Sequence, residues 1–385
     1  MLKKYYSAPI CAFALLSFVS IAVGNIALAL ATILFLFYVH KNKLSLPKEM
    51  RGYFIAIGVF IASLLLSALF SGDLKTGLKT WIDMRIWRMM PLVIIIFSIK
   101  EISQTKNILL FSMIGIIVGI GCVIYQGLSG DDRAAGFFGH PMTFAGYFCI
   151  YLPLFLICFL DGKIFHKYNY LTGIAFFAGL VALLYNSTRG AWLALLLVII
   201  FILLYYISRR SFIAMLCLTV IACAGIGLTS NAKFIKRVHS ITSVKYQSNA
   251  ERILIWQSAY QMFQDHPVLG VGLGQYKDSY QKKYISPKVK ERTLGHAHNN
   301  FMQMLAENGF VGFVGFTWMI GYFICHSFRQ FWKTKSPYAF MISMSTLALV
   351  LQGLTEYNFG NSAVMKAFWL VLGCLLVLDY NYKKE

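Results

Sequence analysis

A chain of 385 residues that is 58% hydrophobic and 13% charged, with a mean hydropathy of +0.65, is too apolar for a soluble globular domain and reads as a polytopic membrane protein. Its formal charge of +20 comes without a zinc-finger, homeodomain or RNA-binding signature, and basic residues are what the cytoplasmic loops of membrane proteins collect, so no nucleic acid is expected as a partner. The eight cysteines all fall in apolar segments with no CxxC or Cys/His metal spacing, which argues against a disulfide framework and a structural zinc.

A hydrocarbon core takes about 20 apolar residues per helix. On that scale membrane segments are predicted near 8–24, 26–40, 53–71, 86–99, 108–128, 141–160, 172–187, 190–208, 212–229, 300–327, 338–356 and 362–380, about twelve in all. Residues 1–29 resemble a signal peptide, with Lys3 and Lys4 before an apolar run. A second apolar run follows after only Gly24 and Asn25, so two retained helices are expected. The fourth segment is the weakest: Trp81 to Arg88 is amphipathic and suits the interface.

Alternate connections fix the orientation. With the N-terminus inside, the cytoplasmic links carry Lys41, Lys43, Lys48 and Arg51, then Lys100 and Lys106, Lys163 and Lys167, Arg209 and Arg210, Arg329, Lys333 and Lys335, and lastly Lys383 and Lys384. Both termini are then cytoplasmic. The opposite side keeps Arg133 in SGDDRAAGFFGHP, Arg189 in the tight turn NSTRG, Glu356 in TEYNFGNS, and the longest loop, which ends at His298. Arginines there run against the topogenic bias and invite a further use, with headgroup anchoring or a structural ion pair as the plain alternative.

The long loop, residues 230–298, divides the chain into helices one to nine (1–229) and helices ten to twelve (299–385), all within one integral domain. It holds eleven Lys or Arg against four Asp or Glu, a surplus of +7, whose natural complement is a phosphate-bearing lipid or glycolipid. Within it Ala250 to Phe263 reads as an amphipathic helix, with Ile253, Trp256 and Tyr260 on one stripe and Arg252 beside them. HPVLGVGLGQY lacks the ending of a phosphate loop and reads as a turn.

The loop closes on GHAHNNFMQMLAENGFVGFVG, residues 295–315. If a helix starts near 299, Asn300, Gln303 and Glu307 share one face and Gly309 and Gly312 lie roughly opposite. His298 falls at the helix start, where the positive dipole end disfavours a second positive charge and leaves the imidazole free to accept a proton. No DxD-type motif, HExxH or GxSxG accompanies it, which lowers metal-dependent and acyl-enzyme chemistry.

STRGAWLAL, ERILIWQSAYQMFQDHPVLGVGLGQY and HAHNNFMQMLAENGFVG, in that order in a chain of about twelve helices, resemble the O-antigen ligase and polymerase superfamily of bacterial envelope glycosyltransferases. His298, Asn299, Gly309 and Gly312 fit the ligase pattern at the loop end. Arg189 with Leu193 fits its arginine motif, and Arg252 fits the loop arginine that precedes the family tryptophan, here Trp256. Arg133, followed by Gly136 and Pro141, resembles an earlier periplasmic arginine; His296 matches less closely.

The resemblance implies an all-α membrane glycosyltransferase, similar to the GT-C class, in the inner membrane of a Gram-negative bacterium, with a large, mainly helical periplasmic loop. It implies an undecaprenyl-diphosphate-linked O-antigen as donor, lipid A-core as acceptor, membrane lipids around both, and no cofactor or metal. His298, Arg189 and Arg252 are then the catalytic candidates, and Arg133, His296, Asn299, Glu307 and Trp256 the substrate-binding ones. An O-antigen polymerase and a protein O-oligosaccharyltransferase are competing enzymes with the same donor. A lipid-linked glycan transporter is the competitor from another class, although the apolar segments carry almost no charge at mid-depth, where transporters place theirs.

Overall fold

The computed structural model describes residues 7–99, 101–208, 247–290 and 292–384, which form helices and turns with no strand among them. Ser7–Leu16 (α1) and Ile21–Lys41 (α2) make a hairpin, and Arg51–Leu69 (α3) follows. Leu74–Trp81 (α4), capped by Asp73, runs through a π-helical stretch, Ile82–Trp87, into Met90–Ser98 (α5). Then come Ile102–Leu128 (α6), Pro141–Asp161 (α7), Asn169–Asn186 (α8) and Arg189–Tyr206 (α9). Gln247–Asp265 (α10) and Tyr276–Ser279 (α11) precede Asn300–Thr334 (α12), Pro337–Gln352 (α13) and Ser362–Tyr382 (α14).

Among the described residues, eight helices are long and apolar enough to cross a bilayer: α2, α3, α6, α7, α8, α9, α12 and α14. The protein is a polytopic, all-helical membrane protein. Three predicted segments are shorter than expected, among them 338–356, where α13 has 16 residues. At 1.5 Å per residue α1 rises only about 15 Å and α5 about 14 Å, roughly half a hydrocarbon core. The chain breaks at 17–20 before α2, and the amphipathic stretch before α5 keeps its own conformation. The predicted segment 212–229 lies outside the described residues, as do Lys233, Lys236, Arg237 and Lys245 of the loop.

Apolar residues on all sides make α7 and α14 the centre of the bundle, since a helix with no polar face gains most by full burial. Phe144, Phe148, Tyr151 and Phe155 of α7 and Trp369 of α14 are fully buried, whereas Leu193, Leu196 and Phe201 of α9 remain on the outside, as lipid-facing side chains do. The loop has its own small core. Ile255, Ala259 and Met262 of α10 pack with Tyr276, Tyr280, Tyr284, Leu294 and Ala297. The buried stripe of α10 therefore differs from the predicted one, for Ile253 and Tyr260 are 38% and 49% exposed. Apolar residues ring this helix, so periodicity alone cannot choose a face; the tyrosine layer does.

α12 is not one continuous helix. Gly309 (φ 59°, ψ −160°) interrupts it, and the turn after α10 fills the gap. Phe310 and Val311 donate their N–H groups to the carbonyls of Pro267 and Val268, at 2.8 and 3.2 Å. Val271 and Gly272 donate in return to the carbonyls of Ala306 and Glu307, at 2.9 and 3.0 Å. Two N–H and two carbonyl groups beside the break thus find partners in the turn. A Cβ on Gly309 would meet the Val268 carbonyl carbon at 2.4 Å, and one on Gly270 would meet that of Glu307 at 2.3 Å, which explains the glycines at both places.

Candidate active site

The site is assembled where the loop enters α12. His298 takes a left-handed conformation (φ 48°), and Asn299 turns the chain into the helix. The Asn299 side-chain oxygen accepts from the N–H groups of Phe301 and Met302, at 2.8 and 3.1 Å, a local reason for the helix to begin there. Its amide nitrogen donates to the Leu354 carbonyl at 2.9 Å. Asn300 continues the connection: its N–H reaches the Gly353 carbonyl at 2.8 Å and its side-chain amide the Asn358 oxygen at 2.8 Å. Gln303, one turn further on, accepts from the Ala297 N–H at 2.7 Å. The polar face predicted for this helix is therefore buried, and it staples the segment 296–300 to the link between α13 and α14.

That staple brings Glu356, which lies on the link, to His298. Its Oε2 stands 3.3 Å from His298 Nδ1, with the carboxylate side chain 9% exposed and the imidazole 26%. Burial alone would raise the Glu356 carboxyl, but the bond to His298 and the charges of His298, His296 and Arg252 hold it below the usual carboxylate range. His296 packs edge-on against His298, ring centres 4.3 Å apart, and its Nδ1 accepts from the His298 N–H at 3.3 Å. Burial, then the proximity of His298 and His140, partly offset by Glu356, pushes His296 down to about 4. His296 is neutral at neutral pH and Glu356 is ionised.

Two of the remaining expected residues, Trp256 and Arg252, reach this group, and the others are tied to neighbouring segments. Trp256 of α10 donates its indole N–H to the Ala297 carbonyl at 3.0 Å, tying the loop helix to the histidine segment. Arg252, one turn before Trp256, is half-buried and close enough to Glu356 to act on it electrostatically. Arg189 opens α9, is 8% exposed, and donates to the Asn249 side chain at 3.0 Å, so the NSTRG turn meets the start of α10. Asn186 donates to the carbonyls of Ala134 and Pro141, both at 2.9 Å, and so ties the segment carrying exposed Arg133 to the Arg189 turn.

Glu307 lies two turns into α12 and is buried. Its Oε1 accepts from the Tyr276 N–H at 3.2 Å, while its carbonyl accepts from Ser67 Oγ at 3.0 Å. Its bonds thus run to the glycine turn and to α3.

His296, His298 and Glu356 also form a group with ligand-type atoms all within 4.8 Å of one another. Two of those atoms already serve each other, His298 Nδ1 facing Glu356, and a histidine oriented by a carboxylate is an arrangement for moving a proton. The alternation of helices puts Glu356 on the same expected side of the membrane as His298, but no motif in the sequence gives it a partner. The signal available was its position, an acid in a short polar link on the side that carries the arginines.

Residues 174–317 match the family model described as O-Antigen ligase. The chain is similar to the ComP-specific O-oligosaccharyltransferase of Acinetobacter baylyi, 23% identical over 238 residues, which are 60% of this chain and 41% of that protein. It is also similar to an uncharacterized protein of Haemophilus influenzae, 26% identical over 299 residues, which are 71% of this chain and 72% of that one. The match thus spans less than half the length of the Acinetobacter protein.

Proposed function

Starting from a membrane chain whose residues 174–317 match the O-antigen ligase family model, we propose that it is a glycosyltransferase that moves a glycan from undecaprenyl diphosphate to an acceptor hydroxyl. The acceptor is a sugar of lipid A-core, and the reaction takes place on the periplasmic face of a Gram-negative inner membrane. The observation that carries this reading is the His298–Glu356 pair, 3.3 Å apart, with Arg252 acting on the same carboxylate.

His298 holds its proton on Nδ1 toward Glu356, which leaves the Nε2 lone pair to take the proton of the acceptor O–H. The acceptor oxygen then bonds to the anomeric carbon as the bond from that carbon to the diphosphate oxygen breaks, with inversion. The electron pair leaves on undecaprenyl diphosphate. Ionised Glu356 stabilises the imidazolium formed, as a carboxylate does behind any histidine base. Arg189 and Arg252 receive the diphosphate charge, which guanidinium groups match bidentately while remaining charged; Arg133 approaches from the adjacent segment. His296, kept neutral, packs against the base without adding a second positive charge. Asn299 and Trp256 hold the base in place, and Glu307 holds the turn beneath it. No step needs ATP or a metal, so transfer is expected to continue in EDTA.

A second reading shares the donor and replaces the acceptor. The name of the Acinetobacter relative is that of an O-oligosaccharyltransferase specific for ComP, which supports a protein hydroxyl as acceptor. Deleting the gene separates the two. Lipid-linked O-antigen accumulating over bare lipid A-core supports the ligase; an unchanged lipopolysaccharide ladder with loss of glycan from one protein supports the protein transferase.

A further inference from the structure

A second charged group lies inside the bundle near the same membrane face, and the transfer chemistry makes no use of it. Lys366, in the second turn of α14, is 5% exposed, and Arg88, just before α5, is 8% exposed. Lys366 Nζ donates to the Asn25 side-chain oxygen at 2.5 Å and stands 5.8 Å from the centre of the Trp87 ring. Arg88 donates to the Gly360 carbonyl at 2.7 Å and to Asp83 Oδ2 at 2.9 Å. Its Nε is buried with no acceptor.

The charges do not balance, since Arg88, Lys366 and the single carboxylate of Asp83 lie within electrostatic reach of one another. Among the described residues, two buried cations share one carboxylate, an orphaned guanidinium N–H remains, and an ammonium with three donors has one side-chain acceptor. Ionisable groups at membrane depth persist when they serve a ligand or a partner.

The surroundings of this group indicate where a balancing anion comes from. The Asp83 side chain is 55% exposed, and Ile82 and Ile86 on the same stretch are 52% and 49% exposed, so two apolar side chains lie outward beside the charged group. An anion arriving there carries hydrocarbon with it. We propose that Arg88, Lys366, Asn25 and Trp87 form a binding site for the phosphate of a bilayer phospholipid, separate from the His298 site. The phosphate balances the charge of the Arg88 guanidinium and the Lys366 ammonium while its acyl chains lie along Ile82 and Ile86. Because Arg88 also holds the Gly360 carbonyl, the lipid braces the link that carries Glu356. The site does not depend on the transfer reading.

The test is lipid binding by the full chain in lipid-free detergent, followed by native mass spectrometry during titration with phosphatidylglycerol. One saturable lipid is expected, bound about fivefold more weakly by Lys366→Met, because one basic contact to a lipid phosphate is worth about a factor of five. Lys366→Arg restores the binding. Asn25→Asp, which keeps Lys366 and supplies it with a carboxylate, weakens binding to a similar degree and serves if Lys366→Met does not fold. Equal binding by wild type, Lys366→Met and Asn25→Asp overturns the proposal. Inorganic phosphate that displaces the lipid at equal concentration overturns the lipid source, leaving a free-anion site. Undecaprenyl phosphate bound in preference to phosphatidylglycerol does the same and transfers the site to the donor.

Discussion

The carboxylate beside His298 comes from a residue 58 positions away in sequence, and two asparagines bring it there. His298→Ala is expected to lower transfer by about 10²- to 10⁴-fold, the usual worth of a general base, with the protein still inserted and folded. Glu356→Gln keeps the shape and removes the charge, so kcat falls while donor KM changes little; a raised KM at unchanged kcat would make Glu356 a binding group. His296 makes a prediction about pH. Its pKa is about 6.5 unfolded and about 4 folded, so between these values the unfolded chain binds more protons and stability rises with pH. Thermal unfolding in detergent should show stability falling as pH drops from about 6.5 to about 4, and His296→Gln should flatten that slope.

At the scale of elements, the break in α12 is the device that joins loop to bundle. The segment HPVLGVGLGQY reads correctly as a turn, and Gly270, Gly272 and Gly274 all have positive φ. Its destination was not legible, because the pattern of residues 300–327 is that of one helix and nothing local marks Gly309 as the place where another backbone enters. α10 teaches the same lesson. Its existence and span follow from Ala250 to Phe263, but its buried stripe is set by Tyr276, Tyr280 and Tyr284, whose arrangement depends on the fold around them. Gly309→Val forces a branched residue into the left-handed region against the Val268 carbonyl and should cost about 1–3 kcal/mol. A lowered unfolding temperature together with protease sensitivity near 266–272 would show the turn released; an unchanged unfolding temperature would show the break to be adaptable.

Over the whole molecule, hydropathy and basic loops were enough to read a polytopic helical bundle and to gather Arg133, Arg189, Glu356 and the loop on one side. Convergence was beyond them. The links from Asn186 to the Arg133 segment, from Arg189 to Asn249, and from Trp256 to Ala297 join distant parts of the chain through single polar contacts that leave no periodic trace. These links make a testable separation among the basic residues. Arg252→Ala should lower kcat/KM for the lipid-linked donor by at least about tenfold, the factor that corresponds to 1.4 kcal/mol. Lys283→Ala, which removes an exposed pair with Asp265 at 2.6 Å, should leave it unchanged. Equal effects would argue for a general attraction of charge over a diphosphate contact.

The most direct measurement is transfer by the purified protein in vesicles, supplied with undecaprenyl-diphosphate-linked glycan and lipid A-core in EDTA. Both the glycosylated acceptor and the released undecaprenyl diphosphate would be followed, for wild type and for His298→Ala. The account predicts that wild type forms the two products in equal amounts and that His298→Ala forms neither at a comparable rate. Wild-type turnover by folded His298→Ala would contradict it.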